Sequence, residues 1–375
     1  MAYIAWRGQK CFVVVDGVES KQQYDEIEGD SLTFSPDGKR LAYVVKRGGR
    51  QLPVVDGKEG AEYSRVIGES FCFSPDSKRF ACVAQRGQRW LVMVDFKPGP
   101  EYDGIMQGSV QFSPDGKRLA YVASQGKKLR LVLDGVEGKL FDGIASDGVS
   151  FSPDGTRAFY AAQMEGKWRW VEAIGGRETK PYDNLGPMAI SSDGKRMALL
   201  VWHGKKCAVL VDGKLQQQYD NVQAPTFSPD GKRLAYAAAS KGEWQMVVDG
   251  SAGQAWAGLG TPLFSPDGKR LAYLAADGQK SCVVLDGAAQ QEEIAGQSLA
   301  FSPDSRHFAY VSRRGEESVL LVDGREANRF GTLGPNVELV FDGPNTLHTI
   351  VTRRNKQTQA VDVIRVELTI EGRKR

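Results

Sequence analysis

The chain has 375 residues, 41% of them hydrophobic and 25% charged, which is the composition of a globular protein and excludes a disordered or collagen-like one. Its 49 Lys and Arg against 46 Asp and Glu leave a net charge of +3, too small by itself to imply a nucleic-acid or anionic-membrane partner. No apolar run reaches the ~18 residues of a membrane helix, and the start, MAYIAWRGQK, shows no basic segment leading into a long apolar stretch, so no signal peptide is visible.

The first elements are short and extended: Ala2–Trp6, Cys11–Asp16 and Tyr24–Ile27. They match the second, third and fourth strands of a unit that then recurs. Its first full copy starts with strand a, SLTF, ending at Phe34. Ser35-Pro36-Asp37-Gly38 reads as a turn, because Pro presets φ, Asp bonds nearby backbone and Gly accepts positive φ. Strand b is LAYVVKR from Leu41, followed by a loop at Gly48-Gly49. Strand c is QLPVVD from Gln51, closed by the turn Asp56-Gly57. Strand d is the more polar stretch around Glu62–Val66.

The turn phrase recurs from Phe34, Phe73, Phe112, Phe151, Ile190, Phe227, Phe264 and Phe301, with a degenerate copy from Phe341; the spacings are 39, 39, 39, 39, 37, 37, 37 and 40. A period near ~40 with strand-type content is the signature of propeller blades. Strand b is apolar at consecutive positions, as Leu41, Ala42, Tyr43 and Val44 show. A sheet with one face in water would alternate; a sheet packed between two neighbours does not. The chain ends with strand a (Val337–Phe341), strand b (Leu347–Thr352) and a long strand c (Gln359–Leu368). Eight full copies and two three-stranded ends predict an all-β fold: one closed β-propeller domain over residues 1–375, with about ten antiparallel blades, or nine if one end only adds strands to its neighbour.

The phrase SPDGKRLAY, at Ser35–Tyr43, Ser113–Tyr121, Ser228–Tyr236 and Ser265–Tyr273, resembles the WD40-like PD40 repeat of TolB-type propellers. Looser copies start at Ser74, Ser152, Ser191 and Ser302. The resemblance implies the propeller fold and, as in TolB, a protein-binding role. In other members such a propeller stands beside a peptidase domain. This chain carries more repeats than a six-bladed TolB-type propeller.

Catalytic motifs are sparse. Gly68-Glu69-Ser70-Phe71-Cys72 and Gly296-Gln297-Ser298-Leu299-Ala300 approach a nucleophile elbow but lack its final glycine, and both fall where strand d passes to strand a. His203, His307 and His348 share no repeat position, which disfavours a metal cluster. No cofactor motif appears. Strand a segments are almost free of titratable groups apart from Glu338, which argues against chemistry in a central channel. Cys11, Cys207 and Cys282 occupy the same place in their repeats, which separates them and disfavours disulfides.

Acidic residues fall into three sets. The SPDG aspartates (Asp37, Asp76, Asp115, Asp154, Asp193, Asp230, Asp267, Asp304) and the VDG aspartates (Asp16, Asp56, Asp134, Asp212, Asp249, Asp286, Asp323) read as turn caps. The third set, Asp25, Asp103, Asp142, Asp183 and Asp220, follows the strand d aromatic and reads as solvated edge residues, with a cation belt as the alternative.

The b–c loops gather cations and tryptophans. They supply Arg47 and Arg50, then Arg86, Arg89 and Trp90, then Lys127 and Arg130, then Lys167, Trp168 and Trp170, and finally Lys205 and Trp244. In a propeller these loops share a face with the d–a loops, and Arg and Trp dominate binding hot spots. The expectation is therefore a non-catalytic, monomeric scaffold for a protein or peptide, with no cofactor, metal, nucleic acid or membrane insertion. The alternatives are a propeller hydrolase acting on glycosides, lactones or esters, and a purely structural or engineered array. The sequence leaves the compartment open between cytoplasmic and, if a leader precedes the chain, periplasmic.

Overall fold

The computed structural model describes residues 1–278, 280–290, 293–330, 338–354 and 361–370; for 295–298, 351–354 and 361–364 it describes backbone alone. The described residues form ten antiparallel sheets. In chain order they span 2–19, 26–59, 65–102, 104–137, 143–172, 184–219, 221–256, 258–289, 294–330 and 339–369, and are called sheets 1 to 10. This is the β-propeller fold that the repeat predicts, with ten blades rather than nine. Sheets 1 and 10 are three-stranded, in the orders b–c–d and a–b–c. The chain divides into two compact units, Met1–Leu185 with sheets 1 to 5 and Gly186–Arg375 with sheets 6 to 10. No helix among the described residues is long and apolar enough to cross a membrane.

The strand pattern follows from where side chains can be buried. In sheet 2, strand b is Leu41–Arg47 and its first five residues are all buried. Leu41, Tyr43 and Val45 face sheet 1, meeting Cys11, Val13 and Tyr24, with Ile27 of their own sheet in the same cluster. Ala42 and Val44 face sheet 3, meeting Phe80, Cys82 and Ala84. Each large apolar side chain removed from water in this way contributes about 1.5–3 kcal/mol, which no isolated sheet could collect on both sides. Aromatic edges cross the joints: Tyr24 and Tyr43 lie 6.4 Å apart, Tyr102 and Tyr121 6.1 Å, Phe141 and Tyr160 6.0 Å.

Each SPDG segment folds as the residues predict. The Ser35 hydroxyl donates to Asp37 (2.6 Å) and accepts from the Arg40 amide (3.0 Å), while Gly38 adopts φ +70°. The hydroxyl and the backbone amide of Lys39 hold Asp37 below the usual carboxylate range. The VDG aspartates also close loops: Asp56 accepts from the Leu41 amide (3.1 Å) and pairs with Arg40 (2.8 Å). That arginine then reaches the next sheet, donating to the carbonyls of Ser77 (3.0 Å) and Lys78 (2.7 Å) and lying over Phe73.

One boundary differs from the sequence expectation. The stretch read as strand d is divided between two sheets. Lys58–Glu59 and Tyr63 pair with strand c of sheet 2, whereas Arg65–Phe73 pairs with Phe80–Arg86 of sheet 3. The chain changes sheet at Ser64, because Tyr63 is buried in one joint and Val66 already belongs to the next strand a. In the same way Tyr24 bridges Cys11 while Glu26–Ile27 pairs with sheet 2. At the C-terminal end the strands are Leu339–Gly343, Thr346–Arg354 and Val361–Thr369; Val337 and Gln359, expected in strands, lie outside the described residues.

Candidate binding face at the strand b–c hairpins

The crossover residue brings the hairpins of neighbouring sheets together. In the first unit the Asp25 carboxylate takes an ion pair from Lys10 of its own hairpin and faces the Gly48 amide of the next (3.4 Å). Asp103 repeats this with Arg89 and the Gly126 amide (2.6 Å), and Asp142 with Lys128 (3.0 Å) and the Glu165 amide (2.9 Å). In the second unit Asp220 binds Lys206 and the Lys241 amide (2.8 Å). Ser64 substitutes its hydroxyl, accepting from the Gly87 amide at 3.0 Å. The lysine partner holds Asp25 and Asp220 below the usual carboxylate range; for Asp142 the Glu165 amide does most of this and Lys128 adds to it. Asp25, Asp103, Asp142 and Asp220 of the third acidic set thus staple one hairpin to the next within their units and are not free carboxylates.

These contacts sort the candidate cations. Arg47 is tied to Glu59 through two bonds (2.7 and 3.0 Å) and Arg86 to Glu101 (3.0 Å). Arg89 is engaged with Asp103, Lys167 with Asp183, and the largely buried Arg130 with Glu137. Arg50, Lys127 and Lys205 stand exposed at the hairpin tips with no ion-pair partner among the described residues. The tryptophans lie lower than their sequence positions suggest. Trp170 is buried, and Trp90, Trp168 and Trp244 are half-buried. Trp90 packs into the joint between sheets 3 and 4 and Trp244 into that between sheets 7 and 8.

The nucleophile-like serine is structural. The Ser70 hydroxyl donates to the Ile67 carbonyl (2.6 Å) and accepts from the Val83 amide (2.8 Å), closing a bulge that interrupts strand a. Ser31 and Ser109 do the same in sheets 2 and 4. The side chains of Gly296–Ser298 lie outside the described set. His307 replaces the SPDGKR arginine and meets Asp323 at 2.6 Å, and His348 meets Asp342 at 2.6 Å. All five cysteines are free thiols, with Cys11 and Cys207 buried behind Tyr24 and Tyr219. Among the described residues no three His, Cys, Asp or Glu gather as metal ligands. Sequence reasoning passed over Asp95-Phe96, a c–d turn without its glycine. Its aspartate accepts from the Phe80 amide (2.9 Å) like the others.

No family model and no curated protein matches the chain. Among solved structures, a eukaryotic initiation factor is similar at TM-score 0.43 and 12% identity, over 88% of this chain and 96% of that one. The Dos1 propeller is similar at TM-score 0.34 and 9% identity, over 74% and 88%. The β-propeller domain of the trilobed protease from Pyrococcus furiosus is similar at TM-score 0.31 and 9% identity, over 68% and 93%. At these scores the likenesses carry no argument about activity, and the fold rests on the chain's own sheets.

Proposed function

We propose that the chain is a non-catalytic scaffold that presents its hairpin face to a protein or peptide. The observation that carries this is the division of labour on that face. In the first unit Asp25, Asp103 and Asp142 each join one hairpin to the next, while Arg47, Arg86 and Arg130 are held by acids of their own sheets. In that unit Arg50 and Lys127 stand exposed at the hairpin tips and Trp90 is half-buried in the joint between sheets 3 and 4; in the second unit, taken by itself, Lys205 is exposed and Trp244 half-buried. Ser70, the one described nucleophile-like group, has both hydrogen-bonding directions of its hydroxyl occupied by backbone. The PD40-type resemblance supports the same reading, and the near balance of charge favours a polar or acidic protein partner over nucleic acid. The protein acts as a monomer in this reading.

Immobilised protein is compared with an Arg50→Glu/Lys127→Glu double variant and with Trp90→Ala, by quantifying proteins captured at equal loading. A partner whose retention drops at least tenfold in both variants supports the proposal. Undiminished capture of every retained protein, or turnover of a glycoside, lactone or ester panel that survives purification, defeats it.

A further inference from the structure

The opposite ends of the strands, where the SPDG and VDG turns lie, carry a groove that recurs at the joints of the first unit. Between sheets 1 and 2 it measures about 610 Å³ and is lined by Val13, Ser20, Leu41 and Tyr43. Between sheets 3 and 4 it measures about 500 Å³ and is lined by Val92, Lys97, Gly99, Leu119 and Tyr121. Between sheets 4 and 5 it is only about 290 Å³. Alignment by strand register shows why. The c–d turn beside the two larger grooves carries Gly57 or Gly135, whereas Ile174 stands at that position beside the smallest and lines it.

Between sheets 2 and 3 the same position is Phe96. Its ring packs edge-on against Phe80 with centroids 4.8 Å apart, and the Lys58 ammonium lies 5.1 Å from its centre. It also closes on Pro53 and Gly60, where an added Cβ would fall 2.9 Å from each of the two rings. Pro53, Lys58, Gly60 and Phe80 correspond to Val92, Lys97, Gly99 and Leu119, all of which line the 500 Å³ groove. Phe96 holds φ +63°, a region where bulky residues are outliers, so seating the ring outweighs a backbone cost. The chain thus displays its own occupant in one copy of a groove that stands open in others.

We infer that the groove between sheets 3 and 4 is a docking site for one aromatic side chain of an extended partner peptide, bearing a carboxylate next to the ring. A cavity of ~150 Å³ already admits benzene, so the space suffices. Lys97 reproduces the Lys58 cation over the ring face. It has no ion-pair partner among the described residues, whereas Asp95 and Asp134 are paired with Arg79 (3.3 Å) and Arg118 (3.2 Å). A carboxylate beside the ring therefore meets an unpaired ammonium. This site lies at the other end of the strands from the hairpins, so it stands or falls independently of the scaffold proposal above.

The test titrates the protein with acetyl-Asp-Phe-Asp-amide and with its Phe→Ala counterpart, following the methyl resonances of Val92 and Leu119. The phenylalanine peptide shifts both and binds at least tenfold more tightly. Gly135→Phe, which places a ring as Phe96 does, abolishes those shifts, while the Val13 and Leu41 methyls keep their wild-type positions as a control for folding. If that variant does not fold, Lys97→Glu on the exposed edge weakens binding at least tenfold. Phe96→Gly adds a site seen at the Val55 methyls. Equal binding of the two peptides overturns the inference, as do shifts confined to the hairpin tips. So does a concentration-dependent mass that disappears in Trp6→Ala, because the exposed Trp6 of a second copy would then be the occupant.

Discussion

Arg40→Ala tests whether the SPDG arginine is what joins one blade to the next. Arg40 donates to two carbonyls of sheet 3 at 3.0 and 2.7 Å, pairs with Asp56 at 2.8 Å and lies 5.3 Å from the Phe73 ring. Its side chain is a quarter exposed, so each charge-assisted bond is discounted for solvent to about 1 kcal/mol, the net value of an ordinary hydrogen bond. The ring contact adds about 0.5 kcal/mol, and the half-exposed ion pair adds about 0.5 kcal/mol. The loss is therefore about 3 kcal/mol. Arg118 offers the control: its pair with Asp134 at 3.2 Å stays within one sheet, and Arg118→Ala costs about 0.5–1 kcal/mol. The difference of about 2 kcal/mol corresponds to a roughly 30-fold change in the opening equilibrium. Hydrogen exchange of the strand b amides of sheets 2 and 3 reads it directly, since local opening is what exposes them. Equal exchange in the two variants would refute the assignment of the arginine to the joint.

Three further outcomes follow from the geometry. Asp76 is held at about 2 by the Ser74 hydroxyl and the Lys78 amide, so its folded pKa is depressed. The stabilisation it contributes is complete above the ordinary aspartate pKa and disappears as pH falls from about 4 to about 2; the melting temperature should fall more steeply across that window in wild type than in Asp76→Asn. Ser70→Ala deprives the Val83 amide of its acceptor and should lower stability by about 1–2 kcal/mol in urea unfolding, and a serine-reactive fluorophosphonate should label neither form. Asp103→Ala releases both Arg89 and the Gly126 amide, so exchange at Gly126 and Lys127 should rise while the strand b core stays protected; unchanged exchange would show the hairpins to be independent.

The comparison of sequence with structure turns on what a repeat can and cannot convey. The number of blades, the positions of strands b and c, and the turn-capping roles of Asp37 and Asp56 were all legible, because tight turns and two-sided burial depend on a few adjacent residues; that the Ser35 hydroxyl holds Asp37 was not read. The boundary at Ser64 was not. A polar stretch after an aromatic gives no sign of which neighbour it pairs with, and that choice is made by the side chains on either side of the joint. The candidate face was half legible: Arg50 and Lys127 stand where their loop positions put them, but Trp170 is buried, and Arg47, Arg89 and Lys167 are engaged by acids 12 to 16 residues away that fold back beside them. Phe96 was passed over in the sequence. Only packing against Pro53, Gly60 and Phe80 from two sheets makes it a ring in a groove.

What the chain's order of residues determined alone is local and repeated: the period, the turns, and the apolar run that must be covered on both sides. What tertiary structure decided is which charges are neutralised and which hollows are filled. Both are properties of the joint between two sheets, where groups remote along the chain meet and compete for the same partner.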